Sequence, residues 1–195
     1  MAYPQKIISR LQNIKNAGEP KRVDCIGKDA SFACGTAVQF ALQIDKTEKR
    51  IIQAKFKTNG CGFAVAIADL LAEIITDKTL ADLKGLEREN LSRVIQAEFG
   101  ELPSEKRQCL EMVLTALKAA FMDFRNRQIE EFAGEKALVC SCFGISEDTI
   151  EKLISGRKAK TVEDVGKLCR AGTGCGSCRF LIQEMLDSVL QVEEF

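Results

Sequence analysis

Apolar and polar positions alternate along this chain in two different rhythms, and each rhythm predicts an element. In residues 4–15, Ile7, Ile8, Leu11 and Ile14 recur at helical spacing, and Gly18-Glu19-Pro20 stops the pattern. This is a short amphipathic helix, suited equally to packing on its own domain or to docking a partner. Residues 21–26 form a possible strand edged by charge. Residues 35–44 set Val38, Phe40, Leu42 and Ile44 against Thr36, Gln39 and Gln43. After a polar turn at 45–49, residues 50–58 set Ile52, Ala54 and Phe56 against Gln53, Lys55 and Lys57. The expectation is an antiparallel meander of about three strands, which needs a helical cover.

Residues 61–76 are almost wholly apolar and predict that cover as a buried helix. Thr79 caps a short helix over 79–83, and residues 87–97 form another. Pro103 or Ser104 opens a long helix to about Arg127, with Ser104 as N-cap. Its inner face is Leu110, Val113, Leu114, Leu117, Phe121 and Phe124. Residues 126–136 are polar and reach Gly134, reading as the helix tail and a linker. Beyond Ala137 come short helices at 149–154 under a Ser146 cap, 162–169 under a Thr161 cap, and 180–190. The predicted class is α+β: a small antiparallel three-stranded sheet covered by helices, then a small all-helical unit. The domain division is 1–127, a linker at 128–137, and 138–195.

Composition narrows the function. Formal charge is zero, so no electrostatic footprint for nucleic acid is present. No apolar run reaches the roughly 18 residues of a membrane span. Residues 1–10 lack the apolar core of a secretory signal, so a cytoplasmic chain is expected. Nine cysteines in such a chain point to metal rather than disulfides, and the odd count agrees. There is no histidine.

Two close pairs dominate: Cys140-Ser141-Cys142, and Cys175-Gly176-Ser177-Cys178 among Gly172, Gly174 and Gly176. Paired thiols in glycine-rich loops suit an iron–sulfur cluster or tetrahedral zinc. A unit of about 55 residues built from short helices has little core of its own, and a metal centre staples it. A second, dispersed set is Cys34, Cys61 and Cys109, each at a junction between elements that a meander and its cover bring to one end. Cys25 and Cys169 have no close-spaced partner and read as small buried hydrophobes.

The segments Phe32-Ala33-Cys34-Gly35, Lys55-Phe56-Lys57-Thr58-Asn59-Gly60-Cys61-Gly62 and Lys106-Arg107-Gln108-Cys109 resemble the iron–sulfur scaffold domain of the NifU and IscU family. The region around Cys140 to Ile145 and Ala171 to Cys178 is similar to the central ferredoxin domain of NifU and to bacterioferritin-associated ferredoxin. The resemblance implies a transient cluster, or iron or zinc, at Cys34, Cys61 and Cys109, built from iron and sulfur from a cysteine desulfurase of the NifS or IscS kind. It implies a permanent, redox-active [2Fe-2S] cluster on Cys140, Cys142, Cys175 and Cys178. It further implies passage of the transient cluster to apo iron–sulfur client proteins, nitrogen-fixation components among them, and a homodimer.

Three departures bear on that expectation. The family places Asp after Cys-Gly, where this chain has Thr36, and a His before the third cysteine, where it has Gln108. The fourth ligand of the first site is therefore Cys25, an incoming thiol, solvent or a partner group. NifU also continues into a further domain with another C-x-x-C, expected to be absent here. No acid, base or nucleophile constellation marks an enzyme. The rival readings are an electron-transfer protein whose first domain is a degenerate scaffold used for partner binding, and a zinc-storing module.

Overall fold

The computed structural model describes residues 3–31, 34–83, 88–133 and 137–192. Phe32 and Ala33 of the first thiol motif, Glu87 of the predicted 87–97 helix and Gly134 of the predicted linker lie outside them. Two compact units are present, Met1–Phe124 and Arg125–Phe195.

In the first unit, helix α1 (Gln5–Gln12) is followed by strands β1 (Cys25–Ala30), β2 (Ala37–Ile44) and β3 (Ile51–Thr58), paired antiparallel in the order β1-β2-β3. Helix α2 (Gly62–Ile75) packs against β3, and α3 (Arg88–Phe99) follows. A single 3-10 turn (Ser104–Lys106) leads into the long helix α4 (Arg107–Glu130). The core joins Phe40, Leu42, Ile44, Ile51 and Phe56 from the sheet to Ile67, Leu71 and Ile75 from α2 and to Val113 and Leu117 from α4. Residues 16–18 run parallel to β3, with Phe56 N–H donating to the Asn16 carbonyl (2.9 Å) and Gly18 N–H to the Phe56 carbonyl (2.8 Å). That pairing covers an edge that would otherwise offer free backbone groups.

Several expectations shift. The first strand lies at Cys25–Ala30 rather than 21–26. Its sequence, CIGKDA, is poor strand material, but two contacts outside the strand fix it. A β-carbon on Gly27 would overlap the backbone of Ala116 and Ala120, so α4 crosses the strand at a distance that only glycine permits. The Ile26 N–H donates to the Asp123 carboxylate at 2.8 Å. In β3, Ile51 is buried and Ile52 is 43% exposed, the reverse of the predicted face. A register shift at Gln43/Ile44 pairs Ile44 with Ile51 and turns the alternation over at that end. Thr79 does accept from the Asp82 N–H (3.2 Å), but residues 79–83 form a turn. Ser104 caps nothing: its hydroxyl goes to Glu105, and Pro103 holds the N-cap position. Helix α4 runs on to Glu130, so its last turn occupies the start of the predicted linker.

Helix α1 packs on α2. Ile7 is fully buried, and the buried Asp69 carboxylate accepts from Arg10 Nε (2.7 Å) and from the Lys15 and Asn16 N–H groups (3.0 and 2.8 Å). Arg10 also pairs with Glu73.

The second unit is not wholly helical. Strands β4 (Leu138–Cys140) and β5 (Ile145–Ser146) form a two-stranded antiparallel sheet before α5 (Glu147–Ser155), α6 (Val162–Cys169) and α7 (Arg179–Val192). Ser146 and Thr161 cap α5 and α6, accepting from the Thr149 and Asp164 N–H groups (3.4 and 3.1 Å). Among the described residues, no helix is long and apolar enough to cross a membrane.

Candidate metal centres

In the first unit, Cys34 sits in the turn after β1, Cys61 is the N-cap residue of α2, and Cys109 lies in the first turn of α4. Folding brings the sulfurs of Cys61 and Cys109 to 3.7 Å. Cys34 is exposed, and its charge is felt at Cys109. Cys25 does not belong to this group. It is fully buried and pairs with Leu42, five residue pairs down the β1-β2 ladder from Ala30 and Ala37 beside the Cys34 turn. At about 3.3 Å per pair, that removes it as a fourth ligand.

The environment grades these thiols. The hydroxyls of Ser31 and then Thr36 bond to Cys34 and draw it down to about 7. Burial pushes Cys61 up, but the Ala64 and Phe63 N–H groups opening α2, with the Cys109 thiol and the Lys106 charge, together outweigh it, so the net shift is downward. Cys109 is pushed up to about 11, by burial first and then by the Cys61 charge beside it. The two departures from the family pattern therefore act on Cys34: Thr36 directly, and Gln108 by donating to the Ser31 hydroxyl at 2.8 Å.

Sequence reasoning missed three supporting residues. Asn59 ties the Cys34 turn to the Cys61 turn: its Oδ1 accepts from the Ala37 N–H (2.6 Å) and its Nδ2 donates to the Gly35 carbonyl (3.0 Å). Lys106 holds its ammonium 5.9 Å from the Phe63 ring centroid and favours the thiolates of Cys61 and Cys109. The Tyr3 hydroxyl accepts from the Gly62 N–H at 3.0 Å. The Asn-Gly-Cys-Gly sequence hinted at Asn59, but nothing local signalled Tyr3.

In the second unit, Cys140 ends β4, Cys142 lies in the β4-β5 turn, and Cys175 and Cys178 lie in the loop before α7. The pairs cross: Cys140 bonds with Cys178, and Cys142 with Cys175. In each pair one thiol donates and one accepts, so Cys140 and Cys175 are held as thiolates while Cys178 and Cys142 are pushed up. The N–H groups of Phe143, Gly172 and Cys142 reinforce the Cys140 thiolate. Gly174 lies flush on Cys142, where a β-carbon would stand 3.1 Å from its sulfur. Gly172 and Gly176 take the positive φ angles that wrap the loop (81° and 76°). Cys169 bonds its own helix, through the Val165 carbonyl (3.2 Å).

Among the described residues, no three Cys, Asp or Glu side chains are already arranged as a cage for one ion. The second unit instead offers two thiol pairs. Two irons each taking two thiolates match that donor set, and an all-sulfur set fits a [2Fe-2S] cluster.

Known proteins align with both units. Residues 2–131 match the NifU-like N terminal domain, and residues 138–188 match the BFD-like [2Fe-2S] binding domain. The chain is 33% identical over 189 residues to the nitrogen fixation protein NifU of Azospirillum brasilense, covering 96% of this chain and 60% of that protein. It is 36% identical over 131 residues to the iron-sulfur cluster assembly scaffold protein IscU of Buchnera aphidicola, covering 65% of this chain and 98% of that one. A crystal structure of a nitrogen-fixing NifU-like protein (N-terminal) from Brucella abortus shares the fold, with TM-score 0.52 and 16% identity, covering 63% of this chain and 94% of that one. The chain thus spans about 60% of the length of the NifU relative it matches. With two thirds of its residues matched by the domain model and a scaffold protein aligned almost end to end, the chain belongs to the NifU-like N-terminal domain family.

Proposed function

We propose that this chain is an iron–sulfur cluster assembly scaffold. Iron and sulfur are its cargo at Cys34, Cys61 and Cys109, and a resident [2Fe-2S] cluster is held by Cys140, Cys142, Cys175 and Cys178. The carrying observation is the contrast between the two thiol sets. The first has three thiols, with the exposed Cys34 beside the close pair Cys61 and Cys109. Such a set leaves a coordination position open, so cargo can enter and leave. The second has four, with Cys140, Cys142 and Cys178 buried, which suits retention.

The chain's own groups prepare the first site. Ser31 and Thr36 lower the Cys34 thiol to about 7, so that its thiolate is available near neutrality, Gln108 donates to Ser31, and the Lys106 charge favours the thiolate forms of Cys61 and Cys109. Asn59 holds the two turns at a fixed spacing. The fourth position is left to an incoming thiol, solvent or a partner group. A [2Fe-2S] cluster held by Cys140, Cys142, Cys175 and Cys178 would pass one electron at a time from an external donor, and the reduction of sulfane sulfur to sulfide would draw on two such transfers.

On this reading the scaffold occupies 1–127 and the cluster domain 138–195. The partners are a cysteine desulfurase, apo iron–sulfur client proteins of nitrogen fixation among others, and a second copy of the chain. The setting is cytoplasmic, and the chain is a carrier rather than a catalyst.

The test is anaerobic purification followed by iron and sulfide counts, reconstitution, and transfer to an apo-ferredoxin. Cys175→Ser is expected to lose the stable chromophore, and Cys34→Ser to lose only the chelator-labile, transferable cluster. Transfer unchanged in Cys34→Ser would falsify the scaffold assignment.

A further inference from the structure

Gly176 and Ser177 separate the two thiols of the second pair, Cys175 and Cys178. Gly176 takes φ 76°, which turns the chain back on itself, and its carbonyl accepts from the Arg179 N–H (3.2 Å) as α7 begins. The turn returns Ser177 to Cys175. The Ser177 Oγ lies 3.3 Å from the Cys175 sulfur, and the Ser177 N–H is aimed at the same atom. Arg125 Nη2 donates to that Oγ at 3.0 Å. Once Cys175 is a ligating thiolate, the hydroxyl oxygen stands between two groups of opposite kind. A guanidinium has no lone pair to offer, so it occupies an acceptor position on the oxygen and cannot take the hydroxyl proton. A thiolate has no proton to give and only accepts. The single hydroxyl hydrogen is therefore directed from Oγ to the Cys175 sulfur. Ser177 is exposed, where water competes for a hydroxyl, and the Arg125 contact holds the oxygen in place against that competition.

We propose that Ser177, oriented by Arg125, donates a hydrogen bond to the Cys175 sulfur of the bound cluster and thereby raises the cluster's reduction potential. This rests on reading the second unit as a [2Fe-2S] domain. Two ferric ions, two sulfides and four thiolates sum to two negative charges. One electron from an external reductant turns one ferric ion ferrous and raises the sum to three. No covalent bond forms or breaks and no proton changes owner. The ligand sulfurs become more negative on reduction, so a donor aimed at one of them bonds the reduced form more strongly than the oxidised form. Ser177 touches the ligand sulfur directly. Arg125 is a positioning residue, since its effect passes through the Ser177 oxygen.

The test uses the full chain, purified without oxygen. Iron and sulfide are counted, and a dithionite potentiometric titration is followed by visible absorbance. Ser177→Ala removes the hydroxyl and leaves the backbone N–H, while Ser177→Thr keeps both. Arg125→Leu is made in the parent chain and again in Ser177→Ala, which closes a double-mutant cycle. Only the difference in bond strength between the two oxidation states counts, so at a fixed solution potential the reduced-to-oxidised ratio is expected to fall about threefold to tenfold in Ser177→Ala. Tenfold corresponds to about 59 mV for one electron. Ser177→Thr is expected to stay within about twofold of the parent chain. Arg125→Leu is expected to lower the ratio in the parent chain and to leave it unchanged in Ser177→Ala. Equal cluster content with an unmoved potential in Ser177→Ala overturns the proposal. So does loss of cluster shared by Ser177→Ala and Ser177→Thr with an unmoved potential in Arg125→Leu, which marks a purely structural role. An equal shift from Arg125→Leu in both backgrounds overturns the orienting role, because the arginine then acts without Ser177. A parent chain free of iron and sulfide overturns the cofactor reading, and the proposal with it.

Discussion

Replacing Gly27 with alanine drives a methyl group into the backbone of α4. The added carbon would stand 2.7 Å from the Ala119 carbonyl carbon, and closer still to the Ala120 nitrogen and the Ala116 oxygen. Ordinary contact begins at 3.4 Å, so the Ala119 contact alone asks strand and helix to separate by 0.7 Å, and the two closer atoms ask for more. Overpacking of this kind costs about 1–3 kcal/mol. The same movement stretches the bond from the Ile26 N–H to the Asp123 carboxylate, and a hydrogen bond to a charged group contributes about 1.5–3 kcal/mol. Alanine returns roughly 0.4–1 kcal/mol by narrowing the unfolded ensemble. The net expectation is a loss of about 3 kcal/mol, or a melting temperature lowered by about 10 °C for a unit of this size. Because α4 also carries Cys109, oxidative closure of the Cys61–Cys109 pair is expected to slow in the same variant. The assay is urea unfolding of the metal-free full chain by circular dichroism, with Gly35→Ala as the companion. Gly35 has φ 67° but nothing within 4 Å of its added carbon, so that change costs only the left-handed backbone, about 1–2 kcal/mol. Gly27→Ala within about 0.5 kcal/mol of the parent chain, or milder than Gly35→Ala, refutes the close-approach argument.

Two further outcomes follow from the site and its support. Arg10→Ala leaves the buried Asp69 carboxylate with two backbone donors but no cation. A loss of about 3 kcal/mol is expected, with faster limited proteolysis near Lys15; an unchanged urea midpoint and cleavage rate would show that α1 is held by apolar contact alone. In metal-free protein, Cys34 titrates at about 7 and Cys109 at about 11. A lowered pKa puts the reactive thiolate at lower pH. Alkylation of Cys34 by iodoacetamide should therefore reach half its plateau rate near neutrality, long before Cys109, as read by peptide mass spectrometry. Cys109 reacting ahead of Cys34 at neutral pH would contradict the hydroxyl contacts from Ser31 and Thr36.

Features carried by neighbours in the chain were legible before any coordinates. The apolar run that becomes α2, the Ser146 and Thr161 caps, and the thiol pairs with their glycines each depend on residues a few positions apart, where spacing alone dictates geometry. The resemblance to the NifU and IscU family rested on equally short motifs. Other features required the tertiary structure. Strand β1 lies where Gly27 and Asp123, distant in sequence, let α4 approach, against the propensity of its own residues. Ile51 and Ile52 exchanged faces because a register shift between strands outranked the period-two pattern within one. The meeting of Cys61 with Cys109, the crossing of the second unit's thiol pairs, and the support from Asn59 and Tyr3 all join distant positions. A sequence specifies which chemistry is available along it; which groups share a volume depends on packing between elements, and no local period encodes that.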